Sequence, residues 1–137
     1  MPGKVYQASL FQWGSTALAE DKGYLPKDLY PDIQAKVIKN LSKDIGLLPV
    51  VNTPEITVSE NGADFLFHRY GSCLENLEAY SVANILKHYH IPLTAFLGVT
   101  NKVGELSHKQ YLENREFAWE TLGDTILNIL LQHDNEI

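Results

Sequence analysis

The chain has 137 residues and a mass of 15.4 kDa, one domain's worth of sequence, long enough to bury about 68% of the surface its unfolded form exposes. Hydrophobic residues make up 45% and charged residues 20%, with 9 Gly and 6 Pro, which excludes a disordered, fibrous or low-complexity chain. Lys and Arg number 11 against 17 Asp and Glu, a formal charge of −6, and the basic residues form no tract, which argues against a nucleic-acid partner. The single cysteine, Cys73, cannot form an internal disulfide and fits a reducing compartment. Met1 to Tyr6 contain no apolar signal segment, and later apolar runs are too short to span a bilayer. The sequence therefore predicts a cytoplasmic protein without a membrane partner, folded as one domain over residues 1–137.

In chain order, Val5 to Trp13 reads as a strand rich in aromatics but without clean alternation, and a polar stretch from Gly14 to Pro26 follows. From Lys27 to Ile45, apolar residues recur every four positions at Ile33, Val37, Leu41 and Ile45, which predicts a helix closed by Gly46. Leu47 to Val51 predicts a buried strand, the mixed segment from Asn52 to Asn61 a second short strand, and Gly62 to Tyr70 a short helix ended by Gly71. Between Leu77 and Tyr89, Ala79, Val82, Ala83 and Leu86 share a helical face, and Ile91-Pro92 stops the pattern. Leu93 to Val99 reads as a strand buried on both faces. The last element is a helix of about five or six turns, with Ser107 and Gln110 in capping-box spacing and a stripe at Ala118, Leu122, Ile126, Ile129 and Leu130. Strands alternating with helices predict an α/β fold with a partly parallel mixed sheet.

Ligands of α/β sheets sit beyond the carboxyl ends of strands, which singles out Glu78 and the segment Gly98 to Lys102. A carboxylate such as Glu78, among small and apolar neighbours, can accept two hydrogen bonds from a vicinal diol. It is equally a group favoured by ~0.3–1 kcal/mol at a helix N-terminus with no ligand at all. Asn101 carries a donor and an acceptor and can read one edge of a base, and asparagine is also a routine turn former. His88 and His90 do not share one helical face, which argues against a metal pair. His108 reads as a solvated first-turn residue, and Cys73 lacks a histidine partner that would make it a nucleophile.

Taken together, Asn76-Leu77-Glu78-Ala79-Tyr80-Ser81-Val82-Ala83, then Ile91-Pro92, then Gly98-Val99-Thr100-Asn101-Lys102-Val103 and the terminal helix resemble the nucleoside phosphorylase and nucleosidase superfamily in order, spacing and residue type. The resemblance puts Leu77 in the place of the family's methionine and Glu78 in that of the glutamate that binds the ribose hydroxyls. Thr100-Asn101-Lys102-Val103 is similar to the Thr-Asn-Lys-Val of trimeric purine nucleoside phosphorylases, where the asparagine contacts the purine, so the resemblance makes Asn101 both the base contact and the catalytic residue. The Glu78 motif belongs to the hexameric phosphorylases and nucleosidases, which carry Ser-Asp at the base site, so two branches are mixed here. Arg115 stands where the trimeric branch has a histidine near the sugar's 5′ end, and the base-binding loop falls near Asn52 to Thr57, where Glu55 is the residue carried over.

The resemblance covers only about the C-terminal half of a family member, a truncated phosphorylase/hydrolase-like fold without the glycine-rich turn and the Arg and Ser positions that bind phosphate. It implies no cofactor, with phosphate as co-substrate if the reaction is phosphorolysis, and a purine nucleoside as ligand. It also implies a homo-oligomer or a partner chain that completes the site. The alternative is a catalytically degenerate homologue kept as an oligomeric binding or structural module. With no resemblance assumed, the residues describe a small α/β module in a structural or interaction role.

Overall fold

The computed structural model describes residues 1–15, 17, 22–24, 26 and 28–133. Its architecture is a mixed sheet flanked by helices, an α/β fold with a long C-terminal helix. The central strand is β1 (Val5–Trp13), which pairs in parallel with β3 (Gly46–Asn52) on one side. On its other side it meets two short antiparallel strands, β2 (Ile33–Gln34) and β5 (Phe96–Gly98). Strand β4 (Leu74–Asn76) extends the parallel part beyond β3.

Strand β1 falls where Tyr6, Phe11 and Trp13 predict it, and its irregular alternation has a cause. The register with β3 runs Ala8 to Leu48 and then Phe11 to Val50, so β1 carries one extra residue, and a single-residue bulge swaps the side chains facing the core. The core joins Ala8 and Phe11 of β1 to Ile33, Val50, Tyr80 and Ala83. Burying side chains of the size of Phe, Ile and Val contributes roughly 1.5–3 kcal/mol each.

The predicted helix from Lys27 to Ile45 is not formed; Lys27 itself lies outside the described residues, and of 28–45 only Ile33–Gln34 is regular, as a strand. The backbone of this segment finds its partners across the sheet instead of within itself. Ala35 N–H donates to Ser9 O (3.3 Å) and Lys36 N–H to Leu93 O (2.8 Å). The buried Gln7 amide, with nitrogen toward Ile38 O (3.2 Å) and oxygen toward Ile38 N (2.7 Å), satisfies that residue's backbone completely. A four-residue spacing is a multiple of the strand period as well as close to the helical one, and here Ile33 is buried while Val37 is 38% exposed. Gly46 opens β3 and caps nothing.

Helix α1 (Glu60–Tyr70) starts two residues before its predicted bound because Ser59 caps it, accepting Gly62 N–H (3.1 Å), and Gly71 ends it at φ 72°. The strand expected within Asn52 to Asn61 is absent: past Asn52 the segment is a loop leading to the Ser59 cap. Helix α2 (Ala79–His88) buries Tyr80 and Ala83 against the sheet, and Val82, assigned to the inner face from sequence, is 44% exposed. Helix α3 (Ser107–His133) has 27 residues, about 40 Å at the usual rise, longer than predicted. It lies so close on β5 that a β-carbon at Gly98 would come within 3.0 Å of Ala118 O. The capping box at its start does not form: Ser107 Oγ is buried without a partner, and Gln110 serves Lys102 instead. Among the described residues no helix is long and apolar enough to cross a membrane.

Candidate functional site

The parallel register sets Trp13, Asn52 and Asn76 side by side at the carboxyl end of β1, β3 and β4. Two asparagines on this rim build the start of α2. The Asn76 side-chain oxygen accepts the N–H groups of Glu78 (2.8 Å) and Ala79 (2.6 Å), and that of Asn52, 1% exposed, accepts Tyr80 N–H (3.1 Å). These bonds satisfy donors that a helix otherwise leaves without partners.

Because the asparagines do the capping, the Glu78 carboxylate is not spent on the helix end. Glu78 stands at the cap position of α2 with φ −121° and ψ −28°, makes no side-chain capping bond and is exposed. No hydrogen bond or ion pair holds its carboxylate among the described residues. The helix N-terminus beside it favours a negative charge there. Leu77, 38% exposed, precedes it.

Asn101 follows β5, whose last residue, Gly98, pairs with Val5 near the start of β1. Its side chain is engaged locally: Oδ1 accepts the Thr100 hydroxyl (2.6 Å) and Nδ2 donates to Lys102 O (3.1 Å). No hydrogen bond joins it to Glu78. The loop after it turns back to the start of α1, where Glu105 N–H donates to Glu60 Oε1 (3.3 Å).

Glu55 is exposed on the loop between β3 and α1. That loop is tied down by Glu75 of β4, a residue that sequence reasoning did not single out. Its carboxylate accepts Thr53 Oγ1 (2.8 Å), Thr57 Oγ1 (2.5 Å) and Thr57 N–H (3.2 Å). The signal was faint, since a three-residue strand shows no periodicity. Arg115 is exposed on α3. Cys73, just before β4, is half-buried, and burial first, with the Glu75 charge second, pushes its thiol up to about 11. That keeps it protonated and unreactive.

Two hollows open beside the end of β1, one of about 450 Å³ and one of about 340 Å³, sharing Trp13 and Tyr30. Trp13 and Tyr30 stack with centroids 5.3 Å apart, and Tyr80 meets Trp13 edge-on at 5.8 Å. Tyr80 donates to Pro31 O (2.8 Å) and Tyr70 to Trp13 O (3.3 Å). Desolvation raises the pKa of both phenols, and the Asp32 carboxylate adds to the rise. Neither hollow is lined by Leu77, Glu78, Asn101 or Glu55, so these two hollows and the residues singled out from sequence are separate features.

No family model matches the sequence, and none of the curated proteins does. Solved structures do match its fold. Futalosine hydrolase of Helicobacter pylori superposes with a TM-score of 0.77 at 11% identity, covering 96% of this chain and 61% of that one. The 5′-methylthioadenosine/S-adenosylhomocysteine nucleosidase of H. pylori, in complex with butyl-thio-DADMe-Immucillin-A, gives 0.75 at 12%, covering 96% and 62%. The corresponding nucleosidase of Colwellia psychrerythraea, in complex with adenine, gives 0.75 at 17%, covering 96% and 60%. The fold is thus shared with these nucleosidases and with futalosine hydrolase. The chain spans about three-fifths of the length of these structures, and the expectation that it matches only a C-terminal half is not supported by coverage of this extent.

Proposed function

We propose that this chain is a nucleosidase-like protein that binds a purine nucleoside, the ribose diol on Glu78 beside Leu77 and the base on Asn101. The observation that carries this reading is the exposed Glu78 carboxylate at the start of α2, without a partner among the described residues, on a fold similar to that of nucleosidases. Two ribose hydroxyls donating to one carboxylate make charge-assisted bonds, the stronger kind. Cleaving the ribosyl–purine bond passes through an oxocarbenium-like sugar, so the enzyme orients the sugar, neutralises the departing base and places water or phosphate opposite it. Glu78 serves the first task. Asn101 serves the second as a hydrogen-bond donor, but an amide cannot protonate the base, which disfavours hydrolysis of adenine nucleosides.

The third task has no residue on the described rim, and we assign it to a second copy or to a partner chain. Exposed apolar side chains on α3, Trp119 at 77% and Leu131 at 67%, support an associating surface. The same lack of an acid at Asn101 favours a second reading, a degenerate homologue that binds without turnover. Release of hypoxanthine from inosine, or of adenine from adenosine, with water or with phosphate, decides between the two. Turnover by the purified chain excludes the degenerate reading. Binding without base release removes catalysis from the first.

A further inference from the structure

Gln110, which the sequence suggests as half of a capping box, is used elsewhere. It and Asn114, one turn later on α3, grip the backbone on the two sides of Asn101. Lys102 N–H donates to Gln110 Oε1 (2.9 Å), and Asn114 Nδ2 donates to Thr100 O (3.0 Å) and to Gln110 O (2.8 Å). The polarity of each grip is fixed. A backbone N–H only donates, so Gln110 must present its oxygen; two carbonyls only accept, so Asn114 must present its nitrogen. Farther along the loop Gly104 has φ 134°, and a β-carbon there would run into the Glu60 carboxylate that receives Glu105 N–H. The loop is therefore held by α3 on both sides of Asn101 and by α1 at its far end.

The consequence reaches the Asn101 amide. An asparagine amide has two donors and two acceptor lone pairs. Thr100 uses one lone pair and Lys102 O one N–H, and both partners belong to the residues that α3 grips. One N–H and one lone pair remain, with their directions set by the backbone. We propose that Gln110 and Asn114 are positioning residues that fix the Asn101 amide in one orientation toward the nucleoside base. This rests on the reading of Asn101 as the base contact.

The test compares Gln110→Ala, Gln110→Glu, Asn114→Asp and Asn101→Ala, with inosine as the probe and hydrogen exchange of the Lys102 amide as a ligand-free readout. Gln110→Glu keeps an acceptor for Lys102, whereas Asn114→Asp turns an oxygen on two carbonyls. Gln110→Ala is expected to speed Lys102 exchange and weaken inosine about tenfold, the effect of one lost hydrogen bond. Asn114→Asp weakens inosine as much, while Gln110→Glu stays within about twofold of the parent in both readouts. Unchanged Lys102 exchange in Gln110→Ala overturns the clamp. So do equal losses of affinity in Gln110→Glu and Asn114→Asp, provided Asn101→Ala weakens binding. If Asn101→Ala leaves inosine affinity unchanged, the base-contact reading falls, and the proposed positioning role falls with it, whatever the exchange shows of the clamp itself.

Discussion

The segments after β4 and after β5 carry the two motifs of the resemblance to nucleoside phosphorylases and nucleosidases, and the fold treats them in opposite ways. After β4, neighbouring side chains absorb the structural work: Asn76 and Asn52 cap α2, and the Glu78 carboxylate is left without a partner among the described residues. After β5, Asn101 is itself bonded to Thr100 and Lys102, and α3 holds both of these in turn. A group free of internal bonds has its whole hydrogen-bonding capacity for a ligand. A group bonded on both sides has less to give but gives it in a fixed direction. On the proposed reading, Glu78 supplies affinity and Asn101 orientation.

This contrast can be broken, and the largest effect lies at Glu78. Glu78→Ala removes two charge-assisted bonds worth about 1.5–3 kcal/mol each, so nucleoside affinity measured by calorimetry should fall by at least about 100-fold. The same substitution should lower stability by no more than about 1 kcal/mol, the loss of a negative charge at a helix N-terminus. A smaller loss follows from Asn101→Ala, about tenfold in affinity for one bond to the base. Asn76→Ala should cost more stability than Glu78→Ala, up to about 2 kcal/mol through the lost cap, read as a shifted urea midpoint.

The smallest effect concerns Cys73 at the start of β4. Its thiol titrates near 11 in the folded chain against an ordinary 9.0, so between about pH 9 and 11 the unfolded chain releases this proton and the folded chain retains it. Its contribution to stability is therefore complete below about pH 9 and is lost as pH rises through that window. Cys73→Ala should flatten the alkaline slope of the urea midpoint. Tyr70 and Tyr80, also raised by burial, add a slope of the same sign.

Much of this arrangement is legible in the sequence, and the gaps have physical causes. Elements of seven or more residues with their own boundary signals, such as β1 with its aromatics, α1 with Gly71 and α2 before Ile91-Pro92, fall close to their predicted places. Residues 27–45 mislead because a four-residue apolar spacing suits a strand and a helix alike, and the choice is made by distant partners, Gln7 and Leu93. Strand β4 is too short to show a pattern, and with it the role of Glu75 stays hidden. Glu78 and Asn101 stand out as residue types after strands, but their contrasting environments do not, because the caps and grips come from Asn76 at the end of a strand too short to show, and from Asn52, Gln110 and Asn114, distant along the chain or assigned another role.

The most direct test of the central claim is titration of inosine and adenosine into the purified chain by calorimetry, with and without phosphate, in the parent and in Glu78→Ala. Saturable binding by the parent that Glu78→Ala weakens about 100-fold is the predicted result. Equal binding by the two would contradict the assignment of Glu78 to the ribose, and no binding by the parent would contradict the nucleoside reading itself.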